Sequence, residues 1–135
     1  MLSGEIKVNL KEQWQLSCGG PITDLTGGVQ WSCTRLRNDI GIEYIVDFFG
    51  ANPTRIEGVS AKVIQQGTSN IDEAAFAFLG FVATLPYEDS DPECAQAWVE
   101  NNIATGGETT IGGVQFDLHT TATARILEIY SVNAK

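Results

Sequence analysis

The chain has 135 residues, 43% of them hydrophobic and 19% charged, with 17 acidic against 8 basic side chains and a net charge of −9. That is the make-up of one globular domain, spanning 1–135, large enough to bury its own core; it excludes a disordered chain. The scattered cations (Lys7, Lys11, Arg35, Arg37, Arg55, Lys62, Arg125 and Lys135) also exclude a nucleic-acid partner, whose phosphates need clustered Lys and Arg.

In chain order, Ile6, Val8 and Leu10 alternate with Lys7, Asn9 and Lys11, and Trp14, Leu16 and Cys18 continue the alternation, which predicts strand. Gly19-Gly20-Pro21 and Thr26-Gly27-Gly28 break the chain. Val29, Trp31 and Cys33 then face one way, and Arg37-Asn38-Asp39 reads as a hairpin turn. Ile40, Ile42, Tyr44 and Val46 share the next inward face. Ile45 and Phe49 lie on its other side, which predicts a strand covered on both faces. Asn52-Pro53 is a turn, and Val59, Ala61 and Val63 form the following strand core.

The period then changes. Ile71, Ala74, Ala75, Phe78, Leu79, Val82 and Ala83 follow helical spacing, with Asn70 and Glu73 as a capping box and Leu85-Pro86 as the stop. A second helix opens with Asp91 as N-cap and Pro92 at its first position, and buries Ala95, Trp98, Val99 and Ile103. Gly106-Gly107 ends it. Beyond it, Gly112-Gly113 joins two short strands in a hairpin. Val114, Phe116 and Leu118 point inward there and Gln115, Asp117 and His119 outward, and the last strand runs from Ile126 to Val132.

The expected fold is α+β: a mainly antiparallel sheet of about six to seven strands. Two consecutive helices, at about 70–85 and 91–103, enter before the last two or three strands and pack on one face.

Of the candidate sites, Cys18 and Cys33 share the core-facing parity of adjacent strands. They predict either a cross-strand disulfide or two buried thiols packing as small hydrophobes. No zinc-type spacing accompanies them, and His119 is the sole histidine. Cys94 falls near the start of the second helix, where a thiolate is favoured and His119 would be its base. Glu88, Asp89, Asp91 and Glu93 oppose that ionisation. The same stretch, Glu88 to Glu93, offers oxygen ligands to a cation but reads more simply as a solvated turn. No nucleotide loop, serine elbow or cofactor motif is present.

Trp14, Trp31 and Trp98 read as core. Phe48-Phe49 cannot both face one side of a strand; with Tyr44, Phe76, Phe81 and Tyr87 they form a candidate ligand or partner surface. The leading expectation is a non-catalytic binding or interaction module, with the general look of small bacterial exported or surface domains. The alternatives are a carrier of a small apolar ligand between sheet and helices, and a cysteine-dependent enzyme built on Cys94 and His119. The expected partner is a protein or a small apolar ligand, with no cofactor, no metal and no membrane span. Met1-Leu2-Ser3-Gly4-Glu5 has no basic region ahead of an apolar core. The expected extracellular or periplasmic location therefore presumes a leader already removed.

Overall fold

The computed structural model describes residues 10–23, 28–50, 57–65, 71–84 and 91–131. Residues 10–14 are helical (α1) and are followed by β1 (Ser17–Thr23), β2 (Val29–Arg37), β3 (Ile42–Gly50) and β4 (Gly58–Gln65). The helices α2 (Ile71–Val82) and α3 (Pro92–Asn102) come next, then β5 (Gly107–Ile111), β6 (Val114–Thr120) and β7 (Ala124–Ser131). All strand pairs are antiparallel, in the order β1-β2-β3-β4-β7-β6-β5. The helical pair therefore carries the chain from β4 to the far edge, and the last hairpin brings it back beside β4. This is the expected α+β architecture.

Alternation decides which face is covered. Val29, Trp31 and Cys33 of β2, Ile42, Tyr44, Val46 and Phe48 of β3, and Val59, Ala61 and Val63 of β4 are buried on one face. Leu127 and Ile129 of β7 and Val114, Phe116 and Leu118 of β6 continue it. Burying side chains of this kind contributes roughly 1.5–3 kcal/mol each. Against that face lie Ile71, Ala75, Phe78, Leu79 and Val82 of α2 and Ala95 and Val99 of α3. Among the described residues Arg125 is the buried charged one; it bonds Asp72 at the start of α2 at 2.7–2.8 Å and the carbonyls of Thr121 and Ala124.

Helix α3 starts as its sequence predicts. Asp91 is the N-cap, its carboxylate accepting the Cys94 N–H at 3.2 Å, with Pro92 at the first position. Gly112 takes φ 61° in the turn where Ile111 pairs with Val114, a conformation that glycine adopts without strain. The cap expected at Asn70, the stop at Leu85-Pro86, the turn at Asn52-Pro53 and the strand residues Ile6 and Val8 lie outside the described residues.

Four expectations are corrected. Gly19-Gly20-Pro21 do not break the chain but lie inside β1, whose pairing with β2 shifts register between Gly19 and Ile22. Residues 10–14 are helix, not strand. Leu10 and Trp14 share one side in either structure, because a separation of four satisfies both periods. Gln15 ends the helix at φ 57°, and the Leu16 N–H bonds the Leu10 carbonyl at 3.3 Å, which turns Leu10 and Leu16 into the core. Arg35 also holds the Trp14 carbonyl, at 3.0 Å. The last strand begins at Ala124, two residues earlier than expected. Finally, β3 is covered on one face only: Ile45 is half-buried, and Phe49 stays 47% exposed on the side away from the helices.

Candidate functional site: the outer face of the sheet

The face turned away from the helices is built by the other parity of the same strands. Directly opposed residues of an antiparallel pair project to the same side, so the register aligns the outer side chains in rows across the sheet. One row runs Ile22, Gln30, Phe49, Gly58, Tyr130, Gln115 and Thr110, from β1 to β5. The row beside it runs Gly19, Ser32, Asp47, Ser60, Glu128, Asp117 and Glu108. The next holds Thr34, Ile45, Lys62, Ile126 and His119.

The first row carries three exposed apolar side chains among Gln30, Gly58, Gln115 and Thr110. Ile22 is 69%, Phe49 47% and Tyr130 38% accessible, and Leu36, at 50%, lies on the same face of β2. Among the described residues these are four of the five large apolar side chains left exposed; the fifth, Phe76, is on α2.

The second row is acidic. Glu128 faces Asp117, and Asp117 faces Glu108, across three neighbouring strands. Like charges directly opposed cost stability. Hydrogen bonds order this row: the Tyr130 hydroxyl donates to Asp117 Oδ2 at 2.9 Å, and Gln115 Nε2 donates to Asp117 Oδ1 at 2.8 Å. Thr110 donates to Gln115 Oε1 at 2.6 Å, and Ser32 to Asp47 Oδ1 at 2.6 Å. The hydrogen bond to Asp117 raises the Tyr130 pKa, and desolvation and the charges of Asp117, Glu108 and Glu128 push the same way. His119 Nε2 stands 3.9 Å from Glu128 Oε1. A shallow depression of about 300 Å³ opens at this end, lined by Gly107, Glu108, Asp117, Leu118 and His119.

The residues singled out in the sequence are distributed differently. Tyr44 and Phe48 are core: Phe48 stacks on Trp31 at 5.5 Å, and Tyr44 packs on Phe78 at 4.6 Å. Phe81 is half-buried against Trp14 at 5.8 Å. Phe49 and Phe76 are exposed on different sides of the molecule, and Tyr87 lies outside the described residues. The structure thus disperses the expected aromatic surface. Between β3 and α2, the rings of Trp14, Tyr44 and Phe78 are in mutual contact where an apolar ligand was expected to sit.

Cys18 and Cys33 are register partners with Cα atoms 4.0 Å apart and sulfurs at 2.00 Å, joined in a disulfide. Cys33 is fully buried, whereas Cys18, on the edge strand β1, is exposed although it shares the inner parity.

Cys94 and His119 are not brought together. Cys94 is exposed on α3, whose Trp98 packs on Phe116 from the inner side at 6.4 Å. His119 has the opposite parity to Phe116 and faces outward. A hydrogen bond to Asp91, the Asp91 charge, desolvation and the Glu93 charge all raise the Cys94 pKa. Among the described residues no group of three His, Cys, Asp or Glu side chains is placed to hold a metal, and no helix is long and apolar enough to cross a membrane. Of the acidic stretch, Asp91 and Glu93 are described and belong to the start of α3.

The signal for the outer face was present in the sequence as parity. Phe49, Asp47, Asp117 and Tyr130 all alternate with core residues. Their alignment into rows depends on a strand order that parity does not carry. Comparison with protein-family models, curated proteins and solved structures finds no match to the chain.

Proposed function

We propose that this chain is a non-catalytic binding module that engages a protein partner through the outer face of its sheet. The carrying observation is the placement of Ile22, Phe49 and Tyr130 in one row of that face, exposed, with Leu36 farther along β2 on the same side, while the inner face is buried beneath the helices. Single exposed apolar residues are ordinary, but apolar side chains gathered on one face and rimmed by polar ones mark interaction surfaces. The separation of Cys94 from His119 supports a non-catalytic reading. The Cys18–Cys33 disulfide supports an exported location, because such bonds persist in oxidising compartments.

The test is selection from a displayed library of random peptides against the disulfide-intact chain. Selected peptides should lose binding to the Phe49→Ser/Tyr130→Ser double variant while binding Phe76→Ser normally, with both variants folded by circular dichroism. Retention on the double variant, or no enrichment at all, rejects the outer face as the binding surface.

A further inference from the structure

Taking the outer face as the binding surface, we propose that its occupant is a basic amphipathic helix of another protein, lying across the strands. The two rows are complementary to two stripes of one ligand. Ile22, Phe49 and Tyr130 are the apolar members of one row, with Gln30 and Gly58 between them, and Asp47, Glu128, Asp117 and Glu108 are the acidic members of the row beside it, with Ser60 between Asp47 and Glu128. The rows are two residues apart along β2 to β7, about 7 Å, and three apart on β1, where the register shifts. An amphipathic helix presents an apolar stripe bordered by a polar one at that scale.

The spacing along the rows favours a helix over an extended strand. Neighbouring strands stand about 4.8 Å apart, which sets the interval between the carboxylates of β7, β6 and β5. One face of a helix repeats about every 5.4 Å, whereas same-side residues of an extended strand repeat about every 6.8 Å. Six interstrand steps from β1 to β5 give a row of about 29 Å, the length of a helix of about 19 residues.

Charge selects the partner's sign. The described strand residues of this face include five carboxylates (Glu43, Asp47, Glu108, Asp117 and Glu128) and a single Lys or Arg, Lys62. Opposing Glu128, Asp117 and Glu108 directly is unfavourable in the free chain, and cations seated between them relieve it. A second copy of this chain would set acidic row against acidic row with a net −9 on each molecule, and an anionic lipid surface is repelled likewise.

The test uses three synthetic peptides of about 19 residues, each with a leucine stripe and a flanking stripe of lysine, serine or glutamate. Their binding to the disulfide-intact chain is measured by calorimetry and circular dichroism. The lysine peptide is expected to bind and to gain helix on binding. Its affinity should fall at least tenfold between about 50 and 200 mM salt. It should also fall about tenfold for Glu108→Gln/Glu128→Gln and for Phe49→Ser. Glu12→Gln/Glu93→Gln, which removes the same charge away from this face, should leave it unchanged. The proposal is overturned if the serine peptide binds as tightly, if the control pair weakens binding equally, or if the bound peptide gains no helix. In each case library-selected peptides that still require Phe49 and Tyr130 would leave the binding module standing without this partner.

Discussion

The ring of Phe49 lies on the backbone of Gly58, its register partner: a Cβ at Gly58 would stand 2.5 Å from Cζ and 2.6 Å from Cε2 of the ring. Glycine inside a strand is ordinarily unfavourable by roughly 0.5–1 kcal/mol, and an aromatic neighbour covering it offsets that loss. Gly58→Ala should therefore cost about 1 kcal/mol while Phe49 is present, because the ring must swing off the sheet. In a Phe49→Ala background the same change should be neutral or stabilising. Urea unfolding of the four proteins of this cycle checks it; equal effects in both backgrounds would refute the contact.

Cys18 and Cys33 tie the edge strand β1 to β2 across a separation of 15 residues. In the chain-entropy model a loop of this size contributes about 3 kcal/mol. Reduction, or Cys18→Ser, should lower the unfolding free energy by about that amount, and the amides of β1 should lose hydrogen-exchange protection before those of β3 and β4. Unchanged stability under reductant would show that β1 is held by its ladder alone.

Arg125 and Asp72 contribute unequally to their ion pair. Arg125 is 8% exposed and also serves two carbonyls, whereas the Asp72 side chain is 45% exposed. Replacing the guanidinium by Arg125→Met removes every one of these bonds and should cost about 2–3 kcal/mol. Asp72→Asn leaves the carbonyl bonds in place, keeps a polar group in water's reach and should cost about 1 kcal/mol or less. Chemical denaturation of both variants measures the asymmetry.

The raised pKa of Cys94 has a kinetic consequence. Less thiolate is present at a given pH than for an unperturbed thiol, so alkylation should be slower than that of a small model thiol across the neutral to mildly alkaline range. Asp91→Asn removes the Asp91 charge and weakens its hydrogen bond to the thiol, the two largest influences raising the Cys94 pKa. It should move the rate profile to lower pH and raise the rate. Iodoacetamide kinetics against pH, read by intact mass with the disulfide in place, give the profile. A Cys94 faster than the model thiol would return it to consideration as a nucleophile.

Much of the fold was legible in local pattern, because parity and helical period are properties of a few consecutive residues. Val29, Trp31 and Cys33, or Val114, Phe116 and Leu118, declare a buried side by alternation alone. Asp91-Pro92 declares a helix start by the backbone groups it satisfies. Where two periods coincide, as at Leu10 and Trp14, pattern could not choose. The helix is selected there by packing: Trp14 meets Tyr44, Phe78 and Phe81, residues distant in sequence.

The outer face belongs to the same division. The sequence by itself determined that Asp117 points away from the side of Val114, Phe116 and Leu118, and that Phe48 and Phe49 part to opposite sides. Only the tertiary structure decided that the side of β3 carrying Phe49 is left open, and that β7 inserts beside β4. That insertion puts Tyr130 in line with Phe49, and Glu128 between Ser60 and Asp117. The physical reason is the range of the interactions. Side-chain direction follows from the backbone geometry of each residue, whereas strand order and register follow from contacts between segments tens of residues apart, whose energies appear only once the chain has closed on itself.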